Sequence, residues 1–192
     1  MKHIVMVLLL LLLNLKYKTW RKLPLYSSAL FYVSFVNILY YFVCQKKLVW
    51  EFESNNMPLP KVRVLQVFLG TPLLTLLCLS GLTNQQSFGM KIFHIVKCSL
   101  GSTLLEWLAK SKFDMISFYH RWNICWSGLI YFLQYLFSYL YTRSRFLTFI
   151  LTILSTEMFV QLFKIPISNS MFKPAAIKEF FKLTFIVNPE RD

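Results

Sequence analysis

At 192 residues, with 56% hydrophobic and only 15% charged residues, the chain is more apolar than soluble domains, in which charged residues make up about a quarter. A mean hydropathy of +0.52 excludes an ordinary water-soluble fold, which would have to expose much of this surface. The net charge of +13 does not point to nucleic acid: Lys and Arg fall in short clusters between apolar runs (Lys16, Lys18, Arg21 and Lys22; Lys46 and Lys47; Arg143 and Arg145), as they do in loops at an anionic bilayer surface.

Residues 4–13 are an almost pure aliphatic run, preceded by Lys2 and followed by Lys16, Lys18, Arg21 and Lys22. The length suits the apolar region of a signal peptide or a short span. No small-x-small cleavage site follows, and the heavier positive charge lies on the C-terminal side. Both features favour a retained first span near 3–15 with its N-terminus outside the cell. A cleaved leader would leave five spans instead of six. Residues 25–44 are uncharged and long enough to cross a hydrocarbon core of ~30 Å, giving a second span. In it Ser27, Ser34, Asn37 and Tyr41 recur at helical spacing, a polar stripe that should face other helices.

The connection 45–61, with Trp50, Glu51, Phe52, Glu53, Asn55, Asn56, Pro58 and Pro60, reads as a turn-rich loop. A third span near 63–82 follows, where Gly70 and Pro72 predict a kink or a close helix contact. The fourth, near 92–108, carries His94, Lys97 and Glu106. Lys97 can extend to the interface and His94 lies near an end. Ser99, Ser102 and Thr103 form a polar track leading to Glu106, the intramembrane carboxylate with the strongest claim to function.

The fifth span, near 122–142, places Asn123, Ser127, Gln134 and Ser138 on one face and Trp122, Trp126, Leu129 and Leu133 on another. The sixth, near 146–164, is interrupted by Glu157, which shares a face with Gln161 and Lys164. The tail 166–192 breaks at Pro166 and Pro174. It then mixes Lys178, Glu179 and Lys182 with Ile177, Phe180, Phe181, Phe185 and Ile186, predicting an amphipathic helix in the headgroup region. The expected fold is therefore an all-α, polytopic transmembrane bundle over residues 1–165 with an interfacial C-terminal helix. The four cysteines lack CxxC spacing or a matched His and read as buried thiols, so no metal or other cofactor is expected.

Alternation of spans puts the Trp50 loop, the fourth–fifth connection and the end of the sixth span on one side of the membrane. Four of the five tryptophans and four of the eight acids gather there. The candidate ligand or partner site is Trp50, Glu51, Glu106, Trp107, His120, Arg121, Trp122, Asn123 and Trp126, with Glu157 in the adjoining leaflet. An interfacial aromatic belt accounts for the tryptophans in purely structural terms, and an ion pair with Arg121, His120 or Lys110 does the same for Glu106.

The motifs Trp50-Glu51-Phe52, Glu106-Trp107, Tyr119-His120, Trp122-Asn123 and Trp126-Ser127 occur in an order that resembles a family of small, uncharacterised multi-pass membrane proteins from spore-forming Gram-positive bacteria. The resemblance implies a helical bundle in a bacterial plasma membrane and carries no activity with it. Three functional classes follow from the residues. A non-enzymatic envelope component would bind a membrane partner, another copy of itself or a small ligand at the Glu106–Trp126 face. An ion-coupled carrier would use Glu106 and Glu157. A membrane enzyme would use His120 as base, assisted by Glu106 or Asp114. The first agrees best with a chain that carries no phosphate-binding loop, nucleophile elbow or metal-spaced His pair.

Overall fold

The computed structural model describes residues 2–54 and 56–186. The chain is predominantly helical. Helix α1 (Lys2–Lys16) runs away from one end of the molecule and stops at Asn14, whose amide donates to the carbonyls of Leu10 (2.8 Å) and Leu73 (3.2 Å) and whose carbonyl accepts from Thr19. A 3₁₀ turn, Thr19–Lys22, leads directly into α2 (Leu23–Val43), with Pro24 in the first turn where a helix has no use for its missing N–H. The next rod, Leu59–Leu82, consists of α3 (Leu59–Leu65), a π-helical turn (Gln66–Gly70) and α4 (Thr71–Leu82).

The irregularity expected at Gly70 and Pro72 is thus a widened turn. Pro72 cannot donate to the carbonyl four residues back, and the π-turn re-registers the ladder around it. Gly70 leaves space for the Gln66 side chain, whose amide end would have to move if a Cβ stood there; that Cβ would lie in ordinary contact range of Val7 on α1. The helical rod also starts before the expected boundary near 63, at Leu59, taking in Lys61.

Helices α5 (Phe88–Ser111), α6 (Ile124–Tyr141) and α7 (Arg145–Phe163) each begin at a side-chain cap: Ser87, Asn123 and Ser144 accept from N–H groups of the first turn. The α3–α4 rod is central, with half of its most apolar window buried against 28% and 17% for the corresponding windows of α2 and α7. Around α4, Leu76, Leu79 and Leu82 pack with Tyr26, Ala29, Ile95 and Tyr135. The α5–α6 pair forms the most extensive helix contact. Ser99 donates to the Gly128 carbonyl at 2.8 Å, Ser102 meets the Tyr135 hydroxyl at 2.5 Å, and Gly128 leaves room for Thr103. The polar track on α5 therefore binds α5 to α6.

Three helical rods, Thr19–Val43, Leu59–Leu82 and Arg145–Phe163, are long and apolar enough to cross a membrane. Their outward faces, and those of α1 and α5, carry exposed Leu9, Leu12, Phe31, Phe93, Leu100, Leu104, Phe146 and Ile153. Together these features mark a membrane protein. α1 and α6 have 15 and 18 residues, or about 22 and 27 Å of helix, and α5 is interrupted by His94, Lys97 and Glu106.

One expectation is corrected here. The connections read as loops contain a two-stranded antiparallel sheet, β1 (Trp50–Phe52) with β2 (Ile116–Phe118), because W-E-F and I-S-F alternate apolar and polar residues with a strand period. The C-terminal helix α8 (Pro174–Phe185) folds back on α3, burying Phe180 beside Tyr41 and Val67. The expected tail residues 187–192 lie outside the described residues.

Candidate functional site

The sheet draws the α2–α3 and α5–α6 connections into one structure. Trp50 faces Phe118, Glu51 faces Ser117 and Phe52 faces Ile116. Tyr119 N–H to Val49 carbonyl (2.8 Å) and Glu53 N–H to Met115 carbonyl (2.7 Å) extend the ladder at both ends. Tyr40 fixes Trp50 twice over: its hydroxyl donates to the Trp50 carbonyl (2.6 Å) and accepts from the Trp50 N–H (3.0 Å), while the two rings stack at 5.2 Å. Lys47 donates to the Phe163 carbonyl at 2.7 Å, bringing the end of α7 to the same place. The convergence expected from alternation is thus present in space, at what we call the sheet end.

The candidate residues do not form one site. Glu51 is buried and accepts from Arg63 Nε (3.0 Å) and Nη2, from the Tyr41 hydroxyl (3.1 Å) and from the Phe52 N–H (2.9 Å). Arg63 also donates to the Thr184 carbonyl of α8 (3.2 Å) and lies over the Tyr41 ring. This is the one ion pair among the described residues, and it fastens β1, α2, α3 and α8 together.

Glu106 has different partners from those expected. It accepts from Ser127 Oγ at 2.5 Å, with the Tyr131 hydroxyl also directed at it, and Ser127 in turn accepts from the Trp122 indole N–H at 3.0 Å. Arg121 and His120 are exposed, and Lys110 sits over the Phe118 ring at 4.4 Å, so the ion-pair reading of Glu106 is overturned. The acid faces two hydroxyls on α6 because its helix is packed against that element along the Ser99–Thr103 track.

His120 and Arg121 occupy the middle of a tight turn closed by Trp122 N–H to Tyr119 carbonyl (2.9 Å), both with left-handed backbone (φ 50° and 68°). That geometry favours Gly or Asn, and two long side chains there store strain. Neither side chain makes a hydrogen bond or ion pair among the described residues. Tyr119 beside them donates to Glu53 at 3.0 Å, and its partial burial, followed by that hydrogen bond, raises the phenol above its ordinary pKa.

Asn123 is the α6 cap, accepting from the Cys125 and Trp126 N–H groups. Trp107 is 47% exposed and Glu157 lies on the outer surface of α7, where Gln161 donates to it at 3.2 Å. The two carboxylates offered for a carrier, Glu106 and Glu157, therefore belong to different helix faces with separate partners. Trp122, placed on the apolar face of α6, is buried against Phe163 and Phe159, with Trp126 packed on the same pair.

Trp50 and Trp122 do share a location. They roof a chamber of about 160 Å³ between α2, α6 and α7. α2 meets α7 at Tyr32–Thr152 (2.6 Å), and the connection after α2 meets the end of α7 where Lys47 reaches Phe163; between those points lies the chamber. Its walls are Val36, Tyr40, Ile130, Leu133, Phe137, Thr156 and Phe159 among others, and none of its lining residues is charged. Its amides point elsewhere: Asn37 donates to the Val33 carbonyl (2.8 Å) and Gln134 to Thr75 (2.9 Å). The chamber suits an uncharged, apolar group, since an ion would lose its hydration with no partner in return.

Sequence reading missed Arg63, Tyr40, Tyr131 and His3, and placed Tyr41 only in a packing stripe. The buried imidazole of His3 contacts the Glu53 carbonyl at 2.8 Å and Gln66 at 3.3 Å, seating α1 against the sheet end. An arginine between two valines at a span boundary should have been matched to an acid. The structure also brings Cys78, His94 and Cys98 together, correcting the view that the cysteines lack a matched histidine. Searches of family models, of curated proteins and of solved structures found no match to this chain.

Proposed function

We propose that the chain is a non-enzymatic membrane protein of the cell envelope that crosses the bilayer six times and holds the acyl chain of a membrane lipid in the chamber beneath Trp50 and Trp122. The observation that carries this reading is the chamber itself: apolar, free of charged lining residues, placed between membrane helices and roofed by paired aromatics. Its volume matches that of an apolar cavity that stays dry and accepts a benzene-sized group, so it takes the end of a chain and not a whole lipid. Affinity comes from packing, because lipid tails are already in an apolar solvent.

Six crossings are supported by the way α1, α2, the α3–α4 rod, α5, α6 and α7 alternate between the sheet end and the far end. Orientation is supported by charge. Lys16, Lys18, Arg21 and Lys22 follow the first span and Lys2 precedes it, and the first span usually dominates orientation, which puts the far end in the cytoplasm and the N-terminus and sheet outside. The later connections oppose this, since Lys46, Lys47, Lys110, Lys112 and the lysines of α8 lie at the sheet end.

Native mass spectrometry of the protein extracted in mild detergent tests the reading. A lipid mass retained by wild type and by Glu106→Gln, but lost in the chamber-filling Thr156→Phe, is expected. Retention of the lipid by Thr156→Phe, or a wild-type protein that carries only another protein subunit, would overturn it.

A further inference from the structure

Two cysteines and a histidine meet on the far side of α4 from the chamber. Cys78 lies on α4, and His94 and Cys98 lie one helical turn apart on α5, so both α5 residues face the same strip of α4. One donor atom from each falls within 4.8 Å of the others. His94 Nε2 is 3.4 Å from Cys98 Sγ and 3.1 Å from the Cys78 carbonyl. Cys78 is buried and the other two are half-buried.

The packing makes specific room for the imidazole. A Cβ at Gly81 would land on Cε1 and Nε2 of the His94 ring, so this glycine is what lets the ring lie flat on α4. A cavity of about 630 Å³ between α1, α4 and α5 is lined by both cysteines and reaches the far end at Tyr17, Thr19 and Lys22.

We propose that Cys78, His94 and Cys98 form a zinc site, with the fourth position open to this cavity for water or an incoming ligand. Zinc at about 2.3 Å from sulfur and 2.0–2.1 Å from nitrogen requires donor atoms about 3.5–3.8 Å apart. His94 Nε2 and Cys98 Sγ, at 3.4 Å, are already at about that spacing, and no pair has to close by more than about 1 Å, within the range of side-chain rotation. The donor set is soft, two sulfurs and one imidazole, and rejects magnesium and calcium, which take oxygen ligands.

Charge selects further. Binding releases one proton from each thiol, and two thiolates exactly offset a divalent ion, leaving a neutral complex among apolar helices. Copper(I) would leave a net negative charge there, at a cost in low dielectric. The cluster lies apart from the acyl-chain chamber, so the inference does not depend on the lipid reading.

The test uses the full chain, reduced and purified in lipid nanodiscs, with Cys44 and Cys125 replaced by Ser so that only the two site thiols remain. Titration with cobalt(II) should give one bound equivalent with a thiolate-to-cobalt charge-transfer band, and zinc should displace it stoichiometrically. Cys78→Ser, Cys98→Ser and His94→Ala should each weaken binding by about 100-fold or more. Gly81→Ala, which keeps all three ligand residues but displaces the His94 ring, should weaken it while the protein remains monodisperse. Absence of the charge-transfer band in the reduced parent protein would overturn the proposal, as would a band that survives the double Ser variant of Cys78 and Cys98. So would an intact mass two hydrogen atoms lighter after extraction that resists mild reduction, since it would make the pair a stable disulfide.

Discussion

Replacing Arg63 by Met leaves a carboxylate stranded. Glu51 would keep only the Tyr41 hydroxyl and the Phe52 N–H, having lost both guanidinium bonds, in a place where it is 4% exposed. Hydrogen bonds to a charged group contribute about 1.5–3 kcal/mol each, so two of them correspond to about 3–6 kcal/mol. Breaking one side of a buried pair costs about 3–5 kcal/mol by independent reckoning. We therefore expect Arg63→Met to destabilise by about 3–5 kcal/mol. The pair Glu51→Gln with Arg63→Met should recover at least about 2 kcal/mol of that, because the neutral amide still accepts from Tyr41 and Phe52 without needing a counter-charge. Equilibrium unfolding in mixed micelles, followed by tryptophan fluorescence, gives both values in one double-mutant cycle. Limited trypsinolysis gives a second reading, since loss of the Arg63–Thr184 bond should speed cleavage at Lys178 and Lys182. A single-variant cost under about 1 kcal/mol, or strictly additive singles, would refute the view that this pair holds the sheet end together.

Other consequences are as direct. Ser127→Ala orphans the buried Trp122 indole N–H and removes a Glu106 donor, and should cost about 1–3 kcal/mol with a shift of tryptophan emission. At Gly128 a Cβ would stand 3.2 Å from Thr103 Oγ1, so Ala should be tolerated within about 1 kcal/mol while Leu should cost about 3 kcal/mol or block folding, read as loss of monodispersity. Placing Asn-Gly at 120–121 relieves two left-handed positions and should stabilise the protein by about 1 kcal/mol or more, visible as a higher unfolding midpoint. In a cysteine-less background, single cysteines at Lys46, Lys112 and Phe172 should react with an impermeant maleimide from one side of the membrane and those at Arg21 and Arg143 from the other. Mixed labelling would refute six alternating spans.

The helices were readable because apolar runs and their polar stripes have a period that survives without knowledge of neighbours. Ser99, Ser102 and Thr103 stood out as a polar track leading to Glu106, but that the track is the seam with Gly128 and Tyr135 of α6 is visible only once the two helices are placed together. The site was less legible. Each acid could be ranked by the cost of burying it, but its partner depends on which elements meet, and Arg63 lies 12 residues from Glu51 across a turn. The sheet was hidden because three-residue strands fall below the length at which alternation stands out, although W-E-F and I-S-F both show it. Cys78 and the His94–Cys98 pair sit on different helices, so no spacing rule could join them. The chamber has no signature in sequence at all, since a space between α2 and α7 is a property of three surfaces together.

The small sheet has a mechanical consequence. Because β1 and β2 belong to connections separated by an entire out-and-back pair of helices, their pairing fixes the α2–α3 corner to the α5–α6 corner as if by a rivet. Any rocking of α5 and α6 against the rest of the bundle must then pivot about that rivet. The lever arm of such a rocking would be longest at the far end, where α5 begins at Phe88 and α6 ends at Tyr141.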